Sequence, residues 1–595
     1  MKRIVKKYDV VVVGGGLSGV CAAIASARNG ANTALLQNRQ VLGGNASSEI
    51  RVNINGALRN SASFKKNVGE GGILMEILLA NKLRNPQHSF HVLDYTIWEK
   101  VQYQEGLDLY LNTSFFYAET ENHKILSISA LQTTSETMYE FQAKYYIDTT
   151  GDACVAYESG AQWTIGREAK STYNEAHAPE IADCHTMGST IMFSTKDMGK
   201  PVKYVKPEWA HTFTKEKLAK RSISTLGFGY WWTELGGDDL SVIEDAETIN
   251  EELKKWVFGI FDYIKNSGEY EADNLALDWI ASVPGRRESR RIIGDYVLRE
   301  EDCYEGKRFK DAIAYGGWTM DDHSVGGILA KGAEEEGTRW LPIKDIYTIP
   351  YRCIYSKNIE NLFVGGRAIS VSHMAMTSTR VMATCAIIGQ AAGTAAALCK
   401  KKKCAPRDLG EDNARLLQQT LLKDDCYIPG ITAYDEADLC ANGSCHISAS
   451  SSLINADVSK LTNGYRRDQE EVDNAWCSQP IDEQGAYLEL TLDEPKNLSE
   501  LNVKFDPDFN VVLITTPMKS IREKLPVELP PVLVRDFKIE CYLDNQVLYT
   551  KTVEENDRCN WNFDLSEIGL CDKIRITMTK TYGDKHVRVY EVRLY

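Results

Sequence analysis

The stretch DVVVVGGGLSGVCAAIASARNGANTALLQ, residues 9–37, decides the fold of the first part of this 595-residue chain. Its opening, residues 9–13, contains four consecutive valines, which is typical of a strand buried on both faces of a parallel sheet. Residues 17–29 carry small and apolar residues at helical spacing, and residues 33–36 return to a strand pattern. This order predicts a βαβ unit at the start of the chain.

Three glycines between the first strand and the helix, Gly14, Gly16 and Gly19, match the pattern G-x-G-x-x-G. The first glycine permits a tight turn, the second lets a pyrophosphate approach the main chain, and the third lets the helix pack against the strand. Because a helix N-terminus also attracts phosphate, the motif predicts a dinucleotide site. A purely structural glycine turn is the alternative interpretation.

The end of the second strand normally carries an acidic residue that binds the ribose hydroxyls. Here Gln37 stands 18 residues after Gly19. An amide also hydrogen-bonds a hydroxyl, so we expect Gln37 to bind the ribose without a charge. Together with Arg39 it would also suit a 2′-phosphate, which keeps NADP open as an alternative.

The composition excludes several classes of function. A net charge of -15 and a pI near 5.3 argue against a nucleic-acid partner, because phosphate neutralisation needs clustered Lys and Arg. The 15 cysteines are odd in number and scattered, which favours reduced thiols over a disulfide framework and gives no ligand set with metal spacing. We therefore expect a cytoplasmic protein without a bound metal.

The N-terminus resembles a signal peptide, because basic residues precede an apolar stretch that ends in Ala25-Ser26-Ala27. Cleavage after Ala27 would destroy the βαβ unit, so we reject that interpretation. The glycines of the motif interrupt the only apolar run that approaches transmembrane length, and we expect no membrane span.

Four further segments stand out: LGGNASSE (42–49), DTTGD (148–152), PGRRESRRIIGD (284–295) and NLFVGGRAISVSHMAMTSTRVMATCAIIGQAAGTAAA (361–397). Together with the glycine motif they resemble the FAD-dependent oxidoreductases of the glutathione-reductase superfamily. More narrowly, they are similar to a bacterial branch of which some members are named xanthan lyases. The resemblance covers about residues 8–425 and implies that the cofactor is FAD.

The resemblance also implies which residues contact the cofactor: Gly43, Gly44, Asn45, Thr150, Gly151, Asp152, Gly366 and Arg367. The first three would lie along the pyrophosphate and ribityl chain, and the next three on the adenosine side. Related flavoproteins often have Gly-Asp where this chain has Gly366-Arg367, so the ligand of Arg367 stays open. A helix over residues 377–399 would point its positive end at the flavin.

Neither a second G-x-G-x-x-G after a strand nor a CxxC pair follows later in the chain. We therefore expect hydride to pass directly between substrate and flavin, and the electrons to leave to an acceptor that the sequence does not identify. Removing hydride from a carbinol requires a base, for which histidine is suited at neutral pH. His373, beside the flavin-facing helix, is the first candidate, and His323, across a cleft from it, is the second. A structural histidine is the alternative for each.

Arginines form the other group of candidates, because guanidinium groups bind carboxylates and phosphates. Four of them lie close together, at Arg286, Arg287, Arg290 and Arg291. We take Arg287 as the catalytic candidate among them. Glu288 and Asp295 nearby allow plain ion pairs as the alternative, and Arg51 and Arg380 are further candidates for the same reason.

The fold class predicted for the whole chain is α/β. A discontinuous Rossmann-type FAD-binding domain (1–160 and 346–405) would receive an inserted α+β substrate-facing domain (161–345), which is rich in aromatic residues. A linker helix (406–430) would lead to a C-terminal antiparallel β-sandwich (431–595), because alternating strands follow one another there. An Asn-Gly turn and Trp476 make this last part similar to galactose-binding-like sandwiches, some of which bind sugars.

The sequence thus predicts an FAD-dependent oxidoreductase that transfers a hydride between a small, carbohydrate-derived substrate and the flavin. Two alternatives stay open. One is a fumarate-reductase-like enzyme that acts on a carbon–carbon bond, with the arginines holding a carboxylate. The other is a carbohydrate-binding protein that keeps a structural flavin.

Overall fold

The structure is a computed structural model that describes residues 2–58, 67–331, 336–410, 414–469 and 472–595. The N-terminal part contains, in chain order, β1 (Lys2–Val13), α1 (Leu17–Arg28), β2 (Thr33–Leu36), α2 (Gly72–Arg84), α3 (Phe90–Gln102), β3 (Leu107–Tyr110), β4 (Thr113–Glu121), β5 (Lys124–Gln132) and β6 (Thr137–Asp148). The predicted βαβ unit is confirmed, because β1 and β2 pair in parallel on either side of α1.

A middle region of shorter elements follows: α4 (Cys154–Glu158), β7 (Trp163–Thr164), α5 (Lys170–Tyr173), β8 (Ser189–Thr190), β9 (Phe193–Asp197), α6 (Lys215–Leu218), β10 (Glu234–Leu235), α7 (Ala246–Asn266), β11 (Leu275–Ile280), β12 (Gly285–Arg286), β13 (Arg291–Ile292), α8 (Glu300–Tyr304), β14 (Ala312–Gly316), β15 (Met320–His323), β16 (Thr338–Leu341) and β17 (Tyr347–Pro350). These strands pair antiparallel in sheets of two or three. Most are too short to show an alternating pattern in sequence.

The chain then returns to the first sheet through β18 (Leu362–Val364) and continues with α9 (His373–Thr379), α10 (Met382–Lys402) and α11 (Ala414–Lys423). The first sheet has the order β3-β2-β1-β6-β5-β4, and β18 pairs in parallel with the end of β6. The sheet is mixed, because β4, β5 and β6 pair antiparallel, but its parallel strands β1, β2, β6 and β18 end at one edge. Ligands of open α/β sheets bind at such an edge.

The helix predicted over 377–399 is divided in the structure into α9 and α10. The break lies at Arg380 and Val381, and Val381 has an extended backbone with ψ 146°. Neither glycine nor proline marks this break, so the apolar periodicity of the segment continues across it and the sequence pattern predicts one helix.

Among the described residues, α10 is the one helix long and apolar enough to cross a membrane by length and composition. Our expectation that no segment reaches that length is therefore wrong for α10. The helix is a core element, since 94% of its apolar window is buried inside the protein. Its close contact with α1 depends on glycine: a Cβ at Gly389 would lie 2.0 Å from the Ser18 carbonyl oxygen.

The C-terminal part is an antiparallel β-sandwich made of β19 (Cys445–Ala449), β20 (Trp476–Cys477), β21 (Ala486–Asn497), β22 (Glu500–Phe505), α12 (Lys519–Arg522), β23 (Val534–Leu543), β24 (Gln546–Val553), β25 (Asn560–Asp564), β26 (Leu570–Thr581) and β27 (Arg588–Leu594). One sheet has the order β19-β21-β26-β23-β24 and the other β20-β27-β22-β25. Their inner faces meet, for example at Phe505 and Phe537, whose rings lie 5.0 Å apart.

Candidate active site

A cavity of about 720 Å³ opens at the carboxyl ends of β1, β2, β6 and β18. This volume is typical of a site for a cofactor and a small ligand. Of the twelve residues proposed as cofactor ligands and the three leading catalytic candidates, thirteen line it: Gly14, Gly16, Gln37, Gly43, Gly44, Asn45, Thr150, Gly151, Asp152, Arg287, His323, Gly366 and Arg367. Gly19 and His373 do not line it.

The three motif glycines have the three different surroundings that a dinucleotide site requires. Gly14 has a φ of +105°, and a Cβ there would lie 2.4 Å from the Thr149 carbonyl oxygen, so this position makes the tight turn. A Cβ at Gly19 would lie 1.8 Å from the Gly14 carbonyl oxygen, so this position allows the helix to pack. Gly16 has no atom within 4 Å of its Cβ position, which leaves the main chain open to a ligand.

The first turn of α1 fits a phosphate group. Gly16 is its N-cap and offers no side chain to the free N–H groups of the first turn. The hydroxyl of Ser18, which lines the cavity, is buried without a hydrogen-bond partner among the described residues. Unpaired donors beside open main chain are what a pyrophosphate needs, so these residues fit FAD.

The structure gives the side-chain amide of Gln37 two partners within the protein. Its Oε1 accepts from the Gly15 N–H at 2.9 Å, and its Nε2 donates to the Val41 carbonyl at 2.9 Å. The amide thus holds the glycine turn against the loop that leads to Gly43. Arg39, which also lines the cavity and pairs with Glu49 at 3.2 Å, is the charged residue at this end.

The partner of Arg367 is Asp152, whose Oδ1 lies 2.7 Å from its Nη2. Arg286 pairs with the other oxygen, and the Ser289 hydroxyl donates to Oδ1 at 2.7 Å. Burial raises the pKa of Asp152, but the two arginines outweigh burial and hold this pKa below its usual value. Arg367 therefore fixes an ionised carboxylate in the cavity wall.

His373 is 2% exposed and lies between two carboxylates. Its Nδ1 is 3.0 Å from Glu288 and its Nε2 is 3.2 Å from Asp322. Burial lowers the pKa of His373, but the two carboxylates outweigh it and raise this pKa to about 10. A histidine that already carries its proton at neutral pH and does not line the cavity is a poor base, so the structure favours the structural alternative for His373.

His323 does line the cavity, and it lies at the centre of a second charged network. Its Nδ1 is 2.7 Å from Glu234 and its Nε2 is 3.3 Å from Asp321. The two histidines face opposite sides of β15, because Asp321 and Asp322 alternate along that strand. The pair of histidines that we expected to share one cleft is thus divided between the cavity and the core.

Arginines close this network at both ends. Arg287 lies 3.2 Å from Glu234, and Arg380 lies 3.2 Å from Asp321. Burial raises the pKa of Glu234, but Arg287 and His323 hold it below its usual value, and the pKa of Asp321 is likewise lowered against burial. The network therefore keeps two carboxylates ionised beside the imidazole.

The other arginines of the cluster form ion pairs or stack on aromatic rings. Arg291 pairs with Glu288 at 2.5 Å and with Glu168 at 2.7 Å, and Arg290 lies 3.9 Å from the centre of the Tyr157 ring. Arg51 lines the cavity with its guanidinium 3.9 Å from the centre of the Trp279 ring.

The structure adds two groups to the site that the sequence pattern did not indicate. Glu234 lies 89 positions before His323, and no local pattern connects the two residues. The aromatic side chains of Tyr230, Trp231, Trp318 and Trp340 also line the cavity. The aromatic richness of the middle region indicated a substrate-facing role, but it gave no means of choosing these four.

Comparison with known families identifies the chain. The model of the family described as "FAD dependent oxidoreductase" matches residues 9–421, well over half of the chain. The chain belongs to this family. The protein is accordingly an FAD-dependent oxidoreductase, and its cofactor is FAD, as the sequence predicted. No curated protein matches it significantly.

Solved structures similar to the oxidoreductase include a fucose binding module of Streptococcus pneumoniae, with 15% identity, a TM-score of 0.20, and coverage of 27% of this chain and 97% of that one. A family 32 carbohydrate-binding module from C. perfringens, in complex with galactose, has 13% identity, a TM-score of 0.19, and coverage of 26% and 95%. A chitosan-binding module from Paenibacillus sp. has 11% identity, a TM-score of 0.19, and coverage of 27% and 98%. Values this low carry no argument about the oxidoreductase.

Replacing His373 with glutamine is expected to destabilise the oxidoreductase in a pH-dependent way. The folded pKa of about 10 lies above the ordinary 6.5, so the stabilisation by protonated His373 is complete below pH 6.5 and is lost as pH rises through 10. We expect a loss of about 3 kcal/mol in the free energy of unfolding near pH 6, as for other broken buried pairs. Urea unfolding at several pH values measures it.

His446→Gln is the control, because His446 is an exposed histidine of the sandwich whose side chain is 73% accessible. It should leave the free energy of unfolding unchanged at every pH. An equal loss for His373→Gln at pH 6 and above pH 10 would contradict the ion-pair assignment.

Proposed function

We propose that the oxidoreductase removes a hydride from a carbinol carbon of a small polyhydroxylated substrate, with His323 as the base. The observation that carries this proposal is the placement of His323 at the cavity between Glu234 and Asp321. Bound FAD supplies the hydride acceptor. The hydroxyl proton of the substrate must leave together with the hydride, and the cavity must provide a group to take it.

His323 can take that proton through Nε2. Glu234 lies closer to the ring, 2.7 Å from Nδ1, than Asp321, which is 3.3 Å from Nε2. Asp321 also pairs with Arg380 through the same Oδ2 atom, at 3.2 Å, so this carboxylate has a second cationic partner. In the tautomer that donates from Nδ1 to Glu234, Nε2 is the atom that accepts the proton. When the substrate hydroxyl gives up its proton, the imidazolium that forms lies between two carboxylates, which stabilise its charge.

The charges of this part of the cavity favour a hydroxylic substrate over a dicarboxylate. Arg287 and Arg380 are each bonded to a carboxylate of the protein. A dicarboxylate would have to displace Glu234 or Asp321 from these arginines, and would bring two further negative charges beside them. Hydroxyl groups can instead donate to the same carboxylates without disturbing either ion pair.

The aromatic lining agrees with a polyhydroxylated compound. Trp318 and Trp340 line the cavity with ring centres 6.4 Å apart. The ring centres of Trp231 and His323 lie 5.3 Å apart, with the two rings nearly perpendicular. Indole rings cover the apolar C–H faces of a sugar while their N–H groups and the charged network meet its hydroxyls. A carbohydrate-derived alcohol is therefore the substrate class that we propose.

An anaerobic screen tests the proposal. The purified yellow protein is mixed with sugars, polyols and dicarboxylates in turn, and the bleaching of the flavin absorbance is followed. We expect bleaching with at least one sugar or polyol and none with fumarate, succinate or other dicarboxylates. Bleaching or reoxidation by a dicarboxylate alone would instead support the fumarate-reductase-like alternative.

A further inference from the structure

An unusually long connection in the sandwich, residues 506–533, joins β22 to β23 and includes α12. Connections longer than about 12–15 residues are uncommon in compact domains and are often functional. The first half of this connection is largely buried. It lies against the FAD-binding part of the chain, more than 400 residues earlier in sequence.

Several contacts fix its position there. Phe509 is fully buried, and its carbonyl accepts from the Gly69 N–H at 3.3 Å. The guanidinium of Arg467 lies 4.0 Å from the centre of the Phe509 ring and donates to the Gly69 carbonyl at 2.9 Å. Further along, Asn81 donates to the hydroxyl of Thr515 at 2.9 Å, and both side chains are buried. The first half of the connection is thus held in place at two points, Phe509 and Thr515.

These contacts bring Met518 to the cavity described above, of which it is a lining residue. Its sulfur lies 3.9 Å from the Nδ2 atom of Asn53, another lining residue. Two residues further on, the carbonyl of Asn55 accepts from the Ala383 N–H in the first turn of α10. Met518 therefore lies at the end of the cavity where α10 begins.

We propose that the first half of this connection, up to Met518, completes a wall of the active site, and that Met518 determines which substrates reach the flavin. The inference rests on the proposed function for the identity of the site. It gives the sandwich a role inside the enzyme, as a part that completes the substrate end of the cavity. A module that binds sugar on its own would not need to place a side chain there.

Methionine suits this role. Its unbranched thioether fills irregular space and adapts to the apolar face of a ligand. Met518 is partly exposed, while its neighbours Thr515 and Thr516 are buried. The backbone that carries Met518 is thus anchored, and the side chain itself projects from that anchor into the cavity. Shortening or enlarging the Met518 side chain should therefore change the access of ligands to the flavin, while the backbone that carries it stays in place.

The first test uses iodide, a small quencher that must reach the flavin to quench its fluorescence. Holoenzyme carrying Met518→Ala should show a quenching constant roughly threefold above wild type, and Met518→Trp one below wild type, because the side chain narrows the cavity. Val527→Ala is the matched control, since Val527 belongs to the same connection but is 79% exposed. Equal constants in all four proteins with flavin bound would overturn the role of Met518.

The same variants test substrate selection directly. With the panel compound that bleaches the flavin fastest, the ratio of its bleaching rate to that of a larger sugar should fall about tenfold in Met518→Ala, as is usual for a changed pocket wall. The flavin content should stay at the wild-type level. A ratio unchanged in both Met518 variants would overturn selection by this residue.

A final test needs no flavin. Asn53→Cys combined with Met518→Cys should be joined by a short bismaleimide linker, as mapped by mass spectrometry, and Asn53→Cys with Val527→Cys should not. If the first pair cannot be linked, residues 53 and 518 do not lie close together, and the proposed wall is contradicted even in a protein that binds flavin. If the first pair is linked in a protein that does not bind flavin, the wall is supported. The proposed function, and with it the selection of substrate by Met518, is then contradicted.

Discussion

Replacing Gly16 with valine is expected to give a folded protein that purifies without flavin. The Cβ position of Gly16 has no atom within 4 Å and its backbone is extended, so the protein itself accommodates the new side chain. The valine would instead occupy the space where the pyrophosphate approaches the main chain. Losing a single charge-assisted hydrogen bond costs about 1.5–3 kcal/mol, which corresponds to about tenfold or more in affinity. The flavin absorbance per protein and an FAD titration measure the loss.

Two further glycine variants show whether the effect is specific to Gly16. Gly583→Val, at an exposed glycine of the sandwich whose Cβ would make ordinary contact with Pro531 at 3.4 Å, should stay yellow. Gly19→Val should fail to fold, because its Cβ would lie 1.8 Å from the Gly14 carbonyl oxygen. If Gly16→Val retained full colour, the cofactor would not lie against this turn.

The parts of the fold that local patterns determine were predicted well. The βαβ unit is one example, since strand β2 begins and ends at the predicted residues, 33 and 36. Strand β1 is longer than expected, because residues 2–7 pair with residues 137–142 of β6. Those basic residues look like a signal peptide in sequence because pairing with a strand over 100 residues away leaves no local trace.

The cofactor end of the site was predictable for the same reason, since glycines that permit turns and close approach are marked in sequence. The ion-pair partner of Arg367, in contrast, could not be predicted from sequence. Its departure from Gly-Asp is visible in sequence, but its partner Asp152 lies 215 positions away. Only the folded structure shows that these two residues are in contact.

The substrate end was much less predictable. In sequence His373 is the first candidate for the base and His323 the second, but which of them lines the cavity depends on which side of β15 each one contacts. Met518 could not have been found, because its contact with Asn53 spans 465 positions and joins the sandwich to the first part of the chain. Sites assembled from several loops are determined by tertiary packing, and the hydrophobic periodicity of a sequence gives no information about such packing.

Replacing His323 with glutamine is expected to leave FAD bound but to slow reduction of the flavin by substrate by about 10²–10⁴-fold, the usual contribution of a general base. Glutamine can still donate a hydrogen bond to Glu234, so the carboxylate network should persist. It cannot accept the hydroxyl proton of the substrate. Stopped-flow measurement of flavin bleaching under anaerobic conditions, at saturating substrate, gives the rate constant directly.

The matched control is His373→Gln at pH 7. His373 is buried away from the cavity, so this variant should bleach at nearly the wild-type rate once it is folded, although it is less stable. A His323→Gly variant should in addition regain part of its rate when imidazole is added, because the free base can enter the space vacated by the side chain. If His323→Gln kept the wild-type rate while His373→Gln lost it, the proton would have to leave through the buried histidine, and the assignment of the two residues would be reversed.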